Sequence, residues 1–444
     1  MSTKIEDIVN NKLCVGCGLC VSESTSSKME WNDQGFLVPK LTGDFSDRAI
    51  KLCPFNSNPD LEVEDEDRIA SIFQGSVKNV DEKIGRYENT FVGYSNEFRR
   101  TSSSGGIATY VFYELLKSKI VDYLFIVKEV GGTYEYQWFS SSEEIVDISK
   151  TRYLPVTLEN LFKEIDQKDG KVAVSGVACF VKAIRLKQYY NPEYRKKIPF
   201  IVGIICGGLK SRFFTEFLAR KSGIVDSYKK PNYRLKDEDS TAVDYSFGAY
   251  DNRDELHTVK MRTLGDMWGT GYFKSNACDF CTDVTTELAD ISLGDAWIDP
   301  YRKEGLGNSV IITRNSIADK IISDGIARGS LMVTPLSVTE IYKSQSGSFN
   351  HRQGGVGVRM KILKVLRRVN IFPKVRARFV TQSNLEFSLV QLGRIRVREL
   401  SLKYWNESSD LLTFDKKMSL ALLLLRIETK IYKKLTRFRG RWKK

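Results

Sequence analysis

Two stretches of sequence decide the fold: Lys171-Val-Ala-Val174, which runs into Ser175-Gly176-Val-Ala-Cys179, and Pro199-Phe-Ile-Val-Gly-Ile-Ile205, which runs into Cys206-Gly207-Gly208. Each is a short apolar run that ends in small residues and a cysteine. Each is followed by a helical pattern, at residues 180–189 and 213–219. A strand–loop–helix unit repeated in this way is typical of a parallel sheet covered by helices. The sequence therefore predicts an α/β fold with Cys179 and Cys206 at the carboxyl ends of strands, where open α/β sheets bind ligands.

A further cysteine pair, Cys278-Asp-Phe-Cys281, could close a four-thiolate metal site with these two. Alternatively, the pair forms a zinc or redox site by itself, and Cys179 and Cys206 are buried structural cysteines. Gaps of 26 and 71 residues do not make a motif, so the spacing leaves both interpretations open. The segment Gly269-Thr-Gly271-Tyr-Phe-Lys before the pair is unlike the strand that usually precedes a redox-active C-x₂-C helix, which argues against a redox disulfide.

The most specific motif lies near the N-terminus, at Cys14-Val-Gly-Cys17-Gly-Leu-Cys20, with Cys53-Pro54 after 32 more residues. Three thiolates at two successive x₂ spacings wrap a loop around an iron–sulfur cube, and a distant fourth closes the site. Zinc knuckles present their cysteines in pairs, so the third close cysteine favours a [4Fe–4S] cluster. The second half of a two-cluster ferredoxin motif is absent, and residues 29–39 predict a short hairpin instead.

Composition limits the class of protein. The chain has 444 residues, 42% of them hydrophobic, which is enough for two or three folded domains. With only two histidines, His257 and His351, a Ser-His-Asp triad or a multi-His metal site is nearly excluded. The start of the chain has no apolar signal region, and no run approaches the ~18 apolar residues of a membrane span. We therefore expect a cytoplasmic protein whose cysteines do not form a disulfide framework.

The net charge of +13 is concentrated at one end. Residues 351–444 hold 24 basic and 6 acidic residues, against 44 and 49 in the first 350. Basic and apolar residues alternate at 361–368 and 394–398, and a helix predicted over 417–439 includes the apolar run 420–425. Such a helix could lie on the inner, anionic surface of a membrane, dock on an acidic partner, or pack on the body. No recognisable nucleic-acid-binding motif accompanies the positive charge, so nucleic-acid binding is not expected.

A Ser/Gly-rich loop, Thr101-Ser-Ser-Ser104-Gly105-Gly106, connects a strand-like segment at 90–94 to a helix predicted over 107–116. Arg99 and Arg100 stand directly before it. A loop of this kind that opens a helix can hold a phosphate or pyrophosphate on its free N–H groups. Ordinary helix capping explains the same residues.

Together these motifs resemble the coenzyme F420 hydrogenase/dehydrogenase beta subunit family, which includes the plant 7-hydroxymethyl chlorophyll a reductase. The resemblance covers residues 10–355, approximately. Besides the Ser/Gly loop, it rests on four blocks: Cys206-Gly-Gly-Leu-Lys-Ser211, Trp268 through Cys281, Glu287 through Trp297, and Gly307 through Arg314.

The resemblance implies a mixed or parallel-sheet flavin domain under a ferredoxin-like iron–sulfur cap, with two [4Fe–4S] clusters and FAD. Carried over by position, the metal ligands are Cys14, Cys17, Cys20 and Cys53 for one cluster and Cys179, Cys206, Cys278 and Cys281 for the other. The FAD contacts are Ser103, Ser104, Gly105, Gly106, Arg152 and Asn308. The chain departs from the family at Val177-Ala178, where Thr-Pro is frequent, and at Gly207, where His is frequent. The departures leave the substrate and the use of F420 open.

These features predict an oxidoreductase that passes electrons from a ferredoxin-like donor through two clusters to FAD and an organic substrate. That substrate could be a small molecule or a sugar-linked compound of surface-polysaccharide biosynthesis, and Asp295 or Arg314 could orient it. The alternatives are a non-catalytic electron-transfer subunit and a zinc-stabilised scaffold. The predicted organisation is a ferredoxin-type domain at 1–60, a linker at 61–90, the flavin and cluster domain at 91–355, and a basic helical extension at 356–444.

Overall fold

A computed structural model describes residues 3–148, 150–366 and 370–441, without the side chains of 146–148, 440 and 441. Two of the bases noted in the sequence, Arg367 and Arg368, lie outside the described residues. The strands are β1 (Lys28–Trp31), β2 (Leu37–Lys40), β3 (Asn79–Asp81), β4 (Gly85–Tyr87), β5 (Thr90–Ser95), β6 (Tyr123–Val130), β7 (Thr133–Phe139), β8 (Val172–Val177), β9 (Phe200–Ile204), β10 (Lys229–Leu235), β11 (Ser246–Tyr250), β12 (Leu256–Lys260), β13 (Ile291–Asp295), β14 (Ser309–Thr313) and β15 (Leu331–Pro335).

The helices are α1 (Ile5–Asn10), α2 (Glu66–Phe73), α3 (Ile107–Lys117), α4 (Leu161–Glu164), α5 (Ala178–Tyr190), α6 (Tyr194–Lys197), α7 (Arg212–Lys221), α8 (Ser316–Ala327), α9 (Val338–Ser344), α10 (Ser346–Ser348), α11 (Val356–Val365), α12 (Leu385–Glu407) and α13 (Leu411–Arg441).

The main sheet has eight strands in the order β15-β5-β14-β13-β9-β8-β6-β7. Its centre is parallel, since β9 pairs in parallel with β8 and β13, and β8 with β6. Its flanks are antiparallel, because β14 and β5 continue one edge and β7 continues the other. The α/β prediction is confirmed as a mixed sheet, and the two predicted strand–loop–helix units form β8–α5 and β9–α7.

The two central strands are buried on both faces, which explains their continuous apolar sequence. Val172 and Val174 of β8 pack with α5, while Ala173 joins Phe200 and Val202 of β9 in a second cluster with α3. Cys179 and Cys206 come two residues after the ends of β8 and β9. Both cysteines are therefore at the same edge of the sheet, as predicted.

The N-terminal segment contacts the main body at several points. The hairpin predicted over residues 29–39 is confirmed as β1–β2. The N–H of Met29 donates to the Glu159 carboxylate over 2.7 Å, and the N–H of Leu158 donates to the Cys17 carbonyl over 2.9 Å. The loop of Cys14, Cys17 and Cys20 is thus held against the segment that precedes α4.

The C-terminal segment also packs on the body, and several of its bases point inward. Arg376 is 1% exposed and forms two hydrogen bonds, of 2.7 and 2.8 Å, to the Glu287 carboxylate. Arg359 and Arg398 are buried beside the carboxylate of Asp279. Part of the excess positive charge is therefore neutralised inside the fold. Among the described residues, no helix combines the length and apolarity that crossing a membrane requires.

Candidate metal and cofactor sites

Four cysteines converge at the N-terminal loop. Cys14, Cys17 and Cys20 follow α1, and Cys53 ends a 3₁₀ turn that is 32 residues further on. In each of the six possible pairs, charge on one thiol raises the pKa of the other, so all four sulfurs share one small region. The N–H of Gly16 points at Cys14 Sγ over 3.4 Å. These four are the residues that the C-x₂-C-x₂-C spacing predicts as one ligand set.

Gly18 fixes how this loop meets the body. Its φ is +82°, in the left-handed region that favours glycine. A Cβ at this position would overlap Thr157 Oγ1 and lie 2.9 Å from the backbone nitrogen of Glu159. The backbone of the cysteine loop therefore lies closer to the body than any side chain would permit.

The four cysteines of the body also converge. Cys179 lies in the first turn of α5, Cys206 follows β9, and Cys278 and Cys281 lie on the long connection between β12 and β13. Here too, each of the six pairs interacts electrostatically. The sulfurs of a strand end, a helix start and a distant loop are thus gathered at one sheet edge.

Backbone N–H groups point at two of these sulfurs. Gly208 donates to Cys206 Sγ over 3.3 Å, and Leu209 donates to Cys278 Sγ over 3.2 Å. Because Gly208 has a φ of +128°, the chain after β9 can curl back towards the sulfurs. Such donors favour the thiolate, the form in which cysteine binds a metal.

Sequence reasoning missed Arg352, which lies against the body cysteines. Its Nη2 donates to Cys281 Sγ over 2.5 Å and to the Asp283 carbonyl over 2.6 Å, and its Nη1 donates to the Cys206 carbonyl. The side chain belongs to a π-helical turn, Phe349–Gln353, and is only 7% exposed. A buried cation therefore contacts one sulfur directly and holds the backbone of two ligand loops.

The sulfur spacing distinguishes between metals. Four thiolates on one zinc ion, each at about 2.3 Å, would lie about 3.8 Å apart. Within the described residues, the one group of three or more potential ligands that all lie within 4.8 Å of one another is Asp251, Glu255 and His257, near an exposed hairpin. Neither cysteine quartet is that compact. A cubane holds its ligands at separate iron corners, so the wider spacing fits a cluster better than a single ion.

The two quartets are neighbours. Charge on Cys17 of the first raises the pKa of Cys179 of the second. Pro54, next to Cys53, lines one small cavity together with Cys179 and Cys281. The two quartets therefore lie close to the same small cavity.

A buried ion pair lies in the same cavity. Lys182 Nζ and a Glu66 carboxylate oxygen are 3.0 Å apart, and both residues line the cavity. Burial raises the pKa of Glu66, but Lys182 and Arg376 outweigh it and hold that pKa at about 2. Glu66 therefore stays ionised at neutral pH.

The Ser/Gly loop is gathered against the end of β14. Ser103 Oγ accepts a hydrogen bond of 2.8 Å from the N–H of Thr151, and Ser104 Oγ donates to the Asn308 carbonyl over 2.9 Å. Gly106 is the residue before α3, with φ +79°, and no side chain caps the helix there. The serines therefore do not cap α3, and Gly106 takes the N-cap position without a side-chain hydrogen bond. The structure brings together the positions proposed for FAD: Ser103, Ser104, Gly105, Gly106, Asn308 and Arg152.

Basic side chains surround this loop. Lys236 Nζ donates to the Ser104 carbonyl over 2.8 Å. Burial and the nearby charges of Arg234, Arg99 and Lys150 lower the pKa of Lys236 to about 7. Arg152 is half-buried, loss of solvation lowers its pKa, and its Nε has no hydrogen-bond partner within the described part of the chain. A set of cations that repel one another, with an orphaned donor among them, is the environment that an anionic ligand stabilises.

Aromatic side chains fill the space between the basic side chains near the Ser/Gly loop and the body cysteines. The Tyr153 ring lies 4.7 Å from Trp268 and 5.2 Å from Tyr233, centroid to centroid. Trp268 in turn would lie 3.3 Å from a Cβ placed on Gly207, the residue after Cys206. A group of packed aromatic rings therefore lies between Arg152, near the Ser/Gly loop, and the second cysteine quartet.

The two residues suggested for substrate orientation have structural partners. Arg314 is fully buried and donates to the carbonyls of Ile84 and Arg86 and to Ser292 Oγ, so the suggestion that it orients a substrate is wrong. Asp295 ends β13 and forms an ion pair with Arg234, one of the cations around Lys236. Asp295 therefore contributes to the basic surroundings of the Ser/Gly loop by holding Arg234 in place.

Comparison with known proteins agrees with this architecture. Residues 90–163 match the family model for the N-terminal part of the coenzyme F420 hydrogenase/dehydrogenase beta subunit. Residues 169–339 match the model for its C-terminal part. The two models together cover more than half of the chain.

Individual relatives carry related names. The chain is 22% identical over 325 residues to one subunit of the F(420)H(2) dehydrogenase of Methanosarcina mazei, and the match covers 69% of this chain and 84% of the relative. It is 25% identical over 270 residues to the coenzyme F420 hydrogenase subunit beta of Methanosarcina barkeri, covering 58% and 84% respectively. It is 20% identical over 307 residues to a coenzyme F420-dependent sulfite reductase of Methanocaldococcus jannaschii, covering 66% of this chain but 43% of that protein.

Among solved structures, a chain of the F420-reducing [NiFe] hydrogenase complex of Methanosarcina barkeri superposes with a TM-score of 0.49 and 19% identity. The superposition covers 67% of this chain and 99% of that chain. On the two family models, the chain belongs to the coenzyme F420 hydrogenase/dehydrogenase beta subunit family.

Proposed function

We propose that this chain is an iron–sulfur electron-transfer protein that works as a subunit of, or a partner to, a larger redox system. The observation that carries the proposal is the arrangement of all eight cysteines as two neighbouring quartets, close enough for charge on Cys17 to raise the pKa of Cys179. The names of the relatives, which include subunits of a hydrogenase and a dehydrogenase, support the same role. The ferredoxin-like donor and the identity of other partners belong to this proposal.

Each quartet would hold one [4Fe–4S] cluster, and such clusters transfer single electrons when bound. The donor set fits, since each quartet supplies four sulfurs with N–H donors aimed at some of them. The protein's own part is to bury both sites and to fix the distance between them, with Pro54 and Cys179 lining the cavity that they share. Arg352 adds a fixed positive charge at the second site, which stabilises negative charge there.

The Ser/Gly loop and the basic side chains around it would hold the diphosphate of FAD. The cation set of Lys150, Arg152, Lys236 and Arg234 fits a dianionic group, and the orphaned Arg152 Nε offers it a donor. A flavin exchanges both one and two electrons, so it would suit a site next to a cluster. Lys236 and Arg152 would bind and orient it, and the aromatic group of Tyr153 and Trp268 would exclude water between the two sites.

A second candidate is a self-contained reductase that acts on an organic substrate. The favouring observation is that basic and aromatic side chains lie together between Ser103 and Cys206, since such groups could bind an organic acceptor. The relatives' names refer to coenzyme F420 and lend no support to the expected role in surface-polysaccharide biosynthesis.

The two candidates separate in one experiment. The full chain, purified without oxygen, is mixed in turn with reduced ferredoxin, reduced coenzyme F420 and dithionite, and its visible and EPR spectra are followed. An electron-transfer subunit becomes reduced but turns over no small-molecule acceptor by itself. Steady turnover of a sugar nucleotide or another organic acceptor by the isolated chain would instead establish the reductase. A chain that takes up no electrons from any of the three donors contradicts both.

A further inference from the structure

The last helix, α13, has two apolar faces, and only one of them packs on the protein. Phe414, Met418, Ala421 and Leu425 are buried against α12 and the body. A second series consists of Leu420, Leu424, Ile427, Ile431 and Leu435, whose side chains are 37–64% exposed. Its spacing of three and four residues places these side chains on one stripe of the helix, about 22 Å long at 1.5 Å per residue.

Positive charge runs along the border of this stripe. Arg426, Lys430, Lys434 and Arg437 are all exposed and are also spaced three and four residues apart, so they form a neighbouring row. The two acidic residues of the helix lie elsewhere. Asp415 pairs with Lys221 of α7, and Glu428 turns towards Gly393 of α12. The row is therefore a continuous cationic strip next to a continuous apolar one.

We propose that this face of α13 binds the surface of a bilayer that contains anionic lipids. The apolar stripe would enter the boundary between headgroups and acyl chains, while the cationic row contacts the lipid phosphates. The helix would lie in the plane of the surface, because six apolar residues in a row at 420–425 do not span a bilayer. The inference is independent of the redox function, since it uses no residue of the cysteine or basic sites.

Charge complementarity favours lipid over the other possible occupants. A second copy of the chain would bring two cationic rows together, which disfavours association through this face. A nucleic acid would neutralise the cations but leave the apolar stripe in water. An anionic lipid surface would bury the apolar stripe and neutralise the cationic row at the same time.

The test uses the full chain, purified without oxygen, and sedimentation with two kinds of vesicle. One is pure phosphatidylcholine, and the other contains about a third phosphatidylglycerol. The stripe variant is Leu424→Ser with Ile427→Ser and Ile431→Ser, and the charge variant is Lys430→Gln with Lys434→Gln and Arg437→Gln. The matched controls are Val225→Ser, at an apolar residue that is 71% exposed on the body, and the triple Lys78→Gln, Lys117→Gln, Lys196→Gln.

We expect binding to the anionic vesicles that weakens as salt rises and is nearly absent with the neutral ones. Each lost charge should weaken partitioning about fivefold, so the charge variant should bind about a hundredfold more weakly, and the controls should bind like the parent. Unchanged iron content and melting temperature will show that the variants fold. Equal binding to both vesicles, equal binding by both charge triples, or no binding at all would overturn the proposal. Dimerisation that the stripe variant abolishes, without vesicle binding, would assign the face to a second copy and also overturn it.

Discussion

Arg352 Nη2 lies 2.5 Å from Sγ of Cys281, across 71 residues of sequence. The same guanidinium donates to backbone carbonyls at Cys206 and Asp283, so it is fixed in place by three parts of the chain. A buried, always-protonated side chain at this position adds positive charge next to the second cysteine quartet. Its effect should therefore be on the ease with which that site accepts an electron.

We predict that Arg352→Gln lowers the reduction potential of the cluster proposed at the second quartet by about 60 mV, which is about 1.4 kcal/mol for a one-electron couple. The reduced site carries more negative charge and loses its nearest cation. Arg352→Lys, which keeps the charge, should retain most of the potential. The measurement is a redox titration followed by EPR, and the N-terminal cluster serves as the internal reference. A potential unchanged in Arg352→Gln, with full iron content, would show that the contact is only structural.

The N-terminal quartet should depend on Gly18. In Gly18→Ala, the residue has to keep a positive φ and place a Cβ where Thr157 and Glu159 already lie. We expect a loss of about 1–3 kcal/mol in the free energy of unfolding, and a fall in iron content, as the cysteine loop lifts from the body. The control is Gly43→Ala, because no atom lies within 4 Å of a Cβ at that position. Equal stability and equal iron in the two variants would contradict this account of the loop.

Binding of FAD to flavin-free protein should weaken as pH rises through 7. The free-state pKa of Lys236 is about 7, because it is buried among Arg234, Arg99 and Lys150 with Asp295 as the opposing charge. Its positive charge is present below that pH and lost above it, so binding above pH 7 must take up a proton. We expect affinity to fall about tenfold between pH 6 and pH 8.5, equivalent to a charged hydrogen bond of about 1.5 kcal/mol.

Fluorescence quenching of FAD measures this affinity, and Lys236→Arg is the matched control because arginine stays charged across the range. The arginine variant should bind with little pH dependence. If both proteins show the same slope, Lys236 does not contact the flavin phosphates.

The C-terminal segment should contribute strongly to stability through Arg376. Arg376→Met would leave the Glu287 carboxylate buried without its partner, which typically costs about 3–5 kcal/mol. Arg378→Met is the control: this exposed neighbour also pairs with Asp67, and such pairs contribute about 1 kcal/mol or less. Urea unfolding measures both, and adding Glu287→Gln to Arg376→Met should recover part of the loss. A cost below about 1 kcal/mol for Arg376→Met would mean that the segment is not integral to the fold.

The local sequence pattern was sufficient to predict the central strands of the main sheet. The apolar runs at 171–174 and 199–205 predicted β8 and β9, because buried parallel strands have nearly continuous apolar sequence. The antiparallel pairing of β14 with β13 and β5 was not predicted, since register between strands far apart in sequence leaves no local signal. The four-segment division of the chain stays a prediction, although contacts such as Arg376 with Glu287 cross its last boundary.

The residues of the candidate sites likewise divide into those that local spacing predicts and those that only the tertiary structure brings together. The spacing of Cys14, Cys17 and Cys20 predicted a ligand set, because a loop around a cluster imposes a short fixed spacing. The body cysteines could only be suggested as a set, since tertiary structure brings them together from three places. Arg352 and Lys236 have no sequence signal, because each acts through a neighbour that is more than 70 residues away. The basic tail was visible as composition, but only burial shows which of its bases point inward.

The most direct test of the central claim is a count of iron, acid-labile sulfide and zinc in the anaerobically purified chain, repeated for Cys20→Ala and Cys278→Ala. Two four-iron clusters predict about eight irons and eight sulfides per chain, and about four of each in either variant. Zinc should be absent. A parent protein with fewer than about four irons and no flavin, or with stoichiometric zinc, would contradict the account.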